Sequence, residues 1–287
     1  MNLLDRALLK LSSLLTGAGL RIRRSLLTRE APRPRPDDIY IVSYPKSGTT
    51  LMQMILYQLT TGGEMDFPHI NAVCPFLELE ISKHNAGFLE AAASPRCFKT
   101  HLLARELPIT TGRYIYIVRD VRDVVVSAYH HDLMVGGAHR SLEQFTEEFL
   151  ESGWLAYPTW FEHLDSWWPH RNDPNVLYLS FEDMTANLEA TIRQVARFCQ
   201  IDVREADMPR ILERCSFAFM KQHEAKFDPR LQNTPRGSQG FIRKGKTGSG
   251  SELLPRHREM FDEKLTATAR KLGCNRGEPY RELVSGG

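Results

Sequence analysis

The stretch Ile39-Tyr40-Ile41-Val42, Ser43-Tyr44-Pro45-Lys46-Ser47-Gly48-Thr49-Thr50, Leu51-Met52-Gln53-Met54-Ile55-Leu56-Tyr57-Gln58-Leu59 decides the fold. Its first four residues are β-branched or aromatic without a polar alternate, as expected for a strand covered on both faces of a parallel sheet. The next eight form a polar turn, and Leu51 to Leu59 reads as a helix. A strand that runs through a short polar turn into a helix leaves the helix's first N–H groups pointing out of the sheet's carboxyl end, where the helix dipole is positive. Lys46 adds a point charge there, Gly48 lets the backbone approach an anion, and the hydroxyls of Ser47, Thr49 and Thr50 add donors. That combination is a phosphate cradle.

The cradle differs from a Walker A loop in the order of its residues. In G-x-x-x-x-G-K-[ST] the lysine follows the last glycine, whereas Lys46 precedes Gly48. A literal match to that pattern does occur at Gly240-Phe241-Ile242-Arg243-Lys244-Gly245-Lys246-Thr247. Its context rejects it: no strand leads in, and Gly248, Ser249, Gly250 and Ser251 oppose the helix that would have to follow.

Further along, Arg113 to Arg119 (RYIYIVR) repeats the buried-strand pattern ahead of a helix starting near Val121. Asn175 to Ser180 (NVLYLS) repeats it again, ahead of helical periodicity from Leu188 to Cys199. Alternation of this kind predicts an α/β fold, a mostly parallel central sheet flanked by helices on both sides. Asp228 to Ser251 is rich in Gly, Pro, Ser and basic residues and reads as a long surface loop, the kind that tends to carry function. No internal repeat or low-complexity segment is evident.

Composition bounds the reading. The 287 residues are 42% hydrophobic and 25% charged with a net charge of +2, which excludes disorder, collagen and coiled coil and gives no coat for nucleic acid. Residues 1–36 carry eight basic and two acidic residues, leaving the rest of the chain net negative. Any anion site in the body therefore depends on locally placed cations. Within this leader Leu4, Leu8, Leu11, Leu15 and Ile22 recur at helical spacing before Pro32, Pro34 and Pro36 end any helix. The expected organisation is a basic amphipathic leader and proline spacer at 1–36, then one domain at 37–287. The leader suits docking on the domain's own surface, with weak membrane-surface contact through residues 1–30 as its rival. Cys74, Cys97, Cys199, Cys215 and Cys274 are odd in number and form no Cys-x-x-Cys pair, so reduced thiols in a cytoplasm are expected.

Two further constellations complete the chemistry. Arg119-Asp120-Val121-Arg122-Asp123-Val124-Val125-Val126-Ser127 follows the second strand, placing Arg119 where parallel sheets bind ligands and Ser127 two helical turns onward. Arg119 suits an anion fork, and the aspartates read as structural groups that cap the helix or pair with arginine. In Phe98-Lys99-Thr100-His101, Lys99 and His101 lie two apart and project to one side of an extended segment. A cation beside an imidazole suggests charge stabilisation with a general base.

YPKSGTT, FKTH, RDVRDVVVS and FIRKG, in this order and approximate spacing over residues 37 to 270, resemble the cytosolic sulfotransferase family. That family moves a sulfuryl group from 3′-phosphoadenosine 5′-phosphosulfate to an acceptor hydroxyl or amine. The resemblance implies a P-loop-like fold with the 5′-phosphosulfate at Lys46, Ser47, Gly48, Thr49 and Thr50, and His101 as base. It further implies 3′-phosphate contacts from Arg119, Ser127, Arg243, Lys244 and Gly245. Phe217 matches the aromatic that packs on adenine, and Pro75-Phe76-Leu77-Glu78 resembles the segment that brings a phenylalanine, here Phe76, into the acceptor pocket. Lys46 and Lys99 would stabilise charge on the departing phosphate, with no metal required. The partner so implied is a small-molecule acceptor, its identity unread.

The chain departs from the family at Leu51, where a tryptophan usually stacks on adenine, and at Phe181, where a tyrosine is usual. Cys215 replaces a threonine, Gly248-Ser249-Gly250 replaces Gly-Asp-Trp, and the family's dimer segment is not recognisable, so oligomeric state stays open. A P-loop kinase is the rival enzyme, disfavoured by the lysine order and by the lack of an acidic magnesium ligand at a strand end. A nucleotide-binding protein that has lost catalysis is the other rival, against which stands His101 beside Lys99.

Overall fold

The computed structural model describes residues 31–137, 140–155, 157–228, 240–245 and 247–274; the leader before residue 31 lies outside them. In chain order the elements are β1 (Ile39–Ser43), α1 (Thr49–Thr61), α2 (Ile70–Val73), α3 (Leu77–Ser82), α4 (Ala86–Ala91), β2 (Cys97–Thr100), β3 (Arg113–Val118) and α5 (Val121–Met134). There follow α6 (Leu142–Ser152), α7 (Trp160–Trp167), β4 (Val176–Ser180), α8 (Phe181–Ala186), α9 (Leu188–Cys199), α10 (Met208–Cys215), α11 (Phe217–Gln222) and α12 (Pro255–Lys271). All pairings in the sheet are parallel, in the order β2-β1-β3-β4.

Period-two alternation sorts the strand residues between two cores. Tyr40, Val42, Tyr114, Tyr116 and Val118 face one layer, with α5, α6, α7 and α12. Ile39, Ile41, Ile115 and Ile117 face the other, with α1, α9 and α10. The first face is a ladder of rings: Tyr40 stacks on Tyr114 at 4.8 Å, and Tyr116 lies 5.5 Å from Trp167 and 5.2 Å from Tyr178. Aromatic pairs across adjacent strands stabilise a sheet beyond their buried area. At the amino end, fully buried Arg96 grips fully buried Asp38 through two hydrogen bonds of 2.7 Å, which satisfies both charges where water cannot reach.

The order has a functional consequence. The chain leaves β1 to form β2 on one side and later β3 on the other, so the connections diverge and open a crevice at the carboxyl ends of these strands. The turn after β1, Arg119 after β3 and His101 after β2 all sit there. β2 is a strand that sequence reading treated only as an extended segment, and Phe76 extends the sheet's edge by bridging to Lys99. The Gly240 to Thr247 match to a Walker A loop has no strand before it and no α-helix after it until Pro255 among the described residues.

Candidate functional site

The turn between β1 and α1 is built on left-handed backbone. Lys46 has φ 71° and Gly48 φ 106°. A Cβ at Gly48 would lie 2.5 Å from Phe181 Cδ2, so both the conformation and the close approach require glycine. Gly48 is the N-cap of α1 and offers no side-chain acceptor. The helix begins at Thr49, two residues earlier than its apolar pattern suggests, and its first N–H groups open toward a cavity of about 970 Å³. Thr49 and Thr50 line that cavity; Ser47 is fully buried and does not. Its hydroxyl is buried with no hydrogen-bond partner among the described residues.

Lys46, Lys99 and Arg119 are among the cations that line the cavity. Arg119 stacks over the Phe181 ring at 4.3 Å and donates from Nη1 to the Lys46 carbonyl at 3.0 Å, closing the cradle's backbone onto β3. Lys46 Nζ lies 3.3 Å from His131 Nδ1 and 4.7 Å from the centre of the Phe241 ring. Burial, then the positive charges of Lys99 and Arg119, pull the Lys46 ammonium down to about 7. Lys99 rests 4.5 Å over Phe76 and is likewise lowered by burial, with Glu78 opposing. Cations gathered around an uncapped helix start form a site complementary to an anion.

His101 sits just past β2 and lines the same cavity. Its Nδ1 lies 2.7 Å from the Ser43 carbonyl, which can only accept, so in the neutral ring Nδ1 carries the proton and Nε2 is the basic nitrogen. The ring is held edgewise between Phe76 at 5.3 Å and Tyr157 at 5.4 Å, and the His101 backbone N–H donates to Glu78 Oε1 at 2.7 Å. The apolar wall beyond is formed by Phe76, Leu79, Phe88, Trp154 and Leu155.

Ser127 on α5, Phe217, Arg243, Lys244 and Gly245 also line the cavity. Gly245, at φ 58°, packs so tightly on the Phe217 ring that a Cβ there would clash with it. The two aspartates of the RDVRD stretch are structural, as their spacing suggests. Asp120 caps α5 by accepting from Arg122 N at 2.8 Å. Asp123 accepts from the backbone N–H of Gly248 at 2.9 Å and of Gly250 at 2.7 Å, pinning the C-terminal loop to the same helix, and lies 3.6 Å from Arg119.

All expected site residues except Ser47 thus line one cavity. Sequence reading missed His131, Phe241, Glu78 and Tyr157, which are brought in by the tertiary fold. The adjacent pair His130-His131, one helical turn beyond Ser127, was the available signal for His131.

The chain is similar to several known proteins. The chain is 34% identical over 245 residues to sulfotransferase 1B1 of Canis lupus familiaris, spanning 79% of this chain and 82% of that protein. It is 33% identical over 243 residues to the amine sulfotransferase of Oryctolagus cuniculus, spanning 79% of each. Mouse sulfotransferase SULT7A1 complexed with PAP has a TM-score of 0.70 to this structure at 29% identity, over 90% of this chain and 91% of that one. The sulfotransferase domain matches residues 36–273, a span holding the cradle, FKTH, RDVRDVVVS and FIRKG together, and the chain belongs to that family.

Proposed function

We propose that the cavity binds 3′-phosphoadenosine 5′-phosphosulfate and that the protein transfers its sulfuryl group, by in-line displacement, to a hydroxyl or amine of a small-molecule acceptor. The observation that carries this reading is the convergence of Lys46, Lys99 and His101 on the uncapped start of α1 in a single cavity. The donor supplies the sulfuryl group and a phosphate leaving group. The residues present fit it: the α1 N–H groups with Thr49 and Thr50 suit the 5′ end, and the cations there repel one another until an anion arrives.

In this reading His101 Nε2 takes the acceptor's proton, while Lys46 and Lys99 stabilise charge that grows on the leaving phosphate. Arg119, Ser127, Arg243, Lys244 and the Gly245 backbone hold the 3′-phosphate, and Phe217 lies against the adenine. Phe76 presents the acceptor to His101. All five cysteines are free thiols, which supports a reducing, cytoplasmic setting. Among the described residues no helix is long and apolar enough to cross a membrane. The test is a sulfuryl-transfer assay with labelled donor against phenols, alcohols, amines and sugars. Transfer to at least one class is expected; tight binding of the bisphosphate product with no transfer to any would instead indicate a binding protein.

The departure at Leu51 leads to a graded expectation. Leu51 lines the cavity and packs against the α1 core, offering apolar contact but no ring face. Aromatic stacking is worth ~0.5 to 1.5 kcal/mol beyond area burial, so Leu51→Trp should tighten 3′-phosphoadenosine 5′-phosphate by several-fold. Calorimetric titration beside a melting curve checks this. A well-folded variant with unchanged affinity would show that the Phe217 side of the pocket already holds the base.

A further inference from the structure

The loop carrying Arg243 and Lys244 closes on a carboxylate of its own. Glu252 Oε1 accepts from Arg243 Nη1 at 3.0 Å and from Lys244 Nζ at 2.7 Å, while Oε2 lies 3.3 Å from His130 Nε2. His130 is on α5, three residues from Ser127, so one carboxylate joins the two sides of the expected 3′-phosphate site. Partial burial pushes the Glu252 carboxyl up, but the bonds from Lys244, Arg243 and His130 outweigh it and hold the group at about 2. It is therefore an anion at any physiological pH.

Glu252 is not the only anchor of its own turn. The turn that carries it, Ser249–Glu252, is anchored independently where Asp123 accepts the N–H groups of Gly248 and Gly250. Arg243 has a second tie, to Ser249 Oγ at 2.9 Å. The bonds particular to Glu252 are those to Arg243, Lys244 and His130.

We propose that Glu252 is an internal substitute for the ligand's 3′-phosphate, holding Arg243 and Lys244 when the site has no ligand and competing with the phosphate for them when it has. This rests on the reading of Arg243 and Lys244 as 3′-phosphate contacts. An arriving phosphate meets a like charge and must share donors already engaged. The carboxylate thereby weakens binding of any 3′-phosphorylated nucleotide and hastens its departure. It also keeps half-buried Arg243 and exposed Lys244 from capturing unrelated anions.

The experiment compares Glu252→Gln, which preserves shape and removes charge, with the parent in calorimetric titrations of 3′-phosphoadenosine 5′-phosphate and of adenosine 5′-phosphate, which lacks the 3′ group. Removing one partly exposed competing charge should tighten the bisphosphate by ~3- to 10-fold, read also as a slower dissociation rate in stopped flow. Affinity for adenosine 5′-phosphate should stay within about twofold. Equal or weaker bisphosphate binding by Glu252→Gln would overturn the proposal, because the carboxylate would then be supporting the cations. An equal gain with both nucleotides would also overturn it. Arg243→Ala separates the two levels: if it leaves bisphosphate affinity unchanged, the reading of the loop fails and the proposal with it. If it weakens binding while Glu252→Gln gives no gain, only the role of Glu252 fails.

Discussion

His101→Ala is expected to lower kcat by ~10²-fold or more with donor affinity nearly unchanged, because positioned general base catalysis contributes about that much. The expectation rests on how narrowly the imidazole is constrained. The Ser43 carbonyl, 2.7 Å from Nδ1, selects the tautomer with Nε2 basic. Phe76 and Tyr157 fix the ring plane, and Glu78 fixes the backbone from which it projects. A ring oriented on three sides loses little entropy in reaching a transition state, so its removal should appear in kcat rather than in the donor's Kd. Steady-state kinetics at saturating donor, with calorimetry of the bisphosphate product, separates the two. Turnover within threefold of the parent would remove His101 from the mechanism. His101→Asn tests the same point differently: its Nδ2 can keep the bond to Ser43 made by Nδ1 but it offers no comparable base, so it should be nearly as slow as the alanine variant.

Much of this site is legible in the sequence, and the reason is local. The strand, turn and helix of residues 39–59 place Lys46 and the helix N–H groups through backbone geometry alone, which sequence pattern reports directly. The RDVRD stretch was likewise readable, since an aspartate ahead of a helix caps it. Legibility ended where a residue's role depends on a distant partner. Asp123 was readable as structural, but its partners Gly248 and Gly250 lie more than a hundred residues away and only the fold reveals them. Ser47 looks like its threonine neighbours in sequence, yet between Lys46 and Gly48, both at positive φ, it is fully buried. Cys97-Phe98-Lys99-Thr100 is short and carries a charge, so sequence marks it only as an extended segment; in the fold it is β2, with Lys99 at the cavity over Phe76. Phe181 read as the loss of a hydroxyl; in the fold its ring fills the space under Gly48 and supports Arg119.

Lys46→Ala and Arg119→Ala are expected to fail in different ways. Arg119 would hold a phosphate whose charge is the same in ground and transition states, so its loss should weaken donor binding and leave kcat less affected. In the proposed reaction Lys46 would face charge that grows on the leaving phosphate, and losing one such preorganised donor typically costs ~10²- to 10³-fold in turnover. If both variants show a single kinetic pattern, the division of labour is wrong. Lys46 carries a further signature in pH. Its ammonium is lowered from 10.5 to about 7 by burial and then by Lys99 and Arg119, so above neutral pH much of it is uncharged while the cavity lacks an anion. A phosphate against it restores the proton. Binding of 3′-phosphoadenosine 5′-phosphate at pH 8 should therefore take up protons and weaken as pH rises, a dependence measurable by calorimetry in buffers of different ionisation enthalpy and reduced in Lys46→Met. Stability runs the other way. The folded protein binds this proton less well than the unfolded chain, so the charge opposes folding fully below about 7, and the opposition fades as pH climbs toward 10.5. Lys46→Met should then melt higher than the parent at pH 6, by a margin that narrows as pH rises toward 10. A margin that stayed constant across that range would mean that the lysine's charge is not what the variant removed.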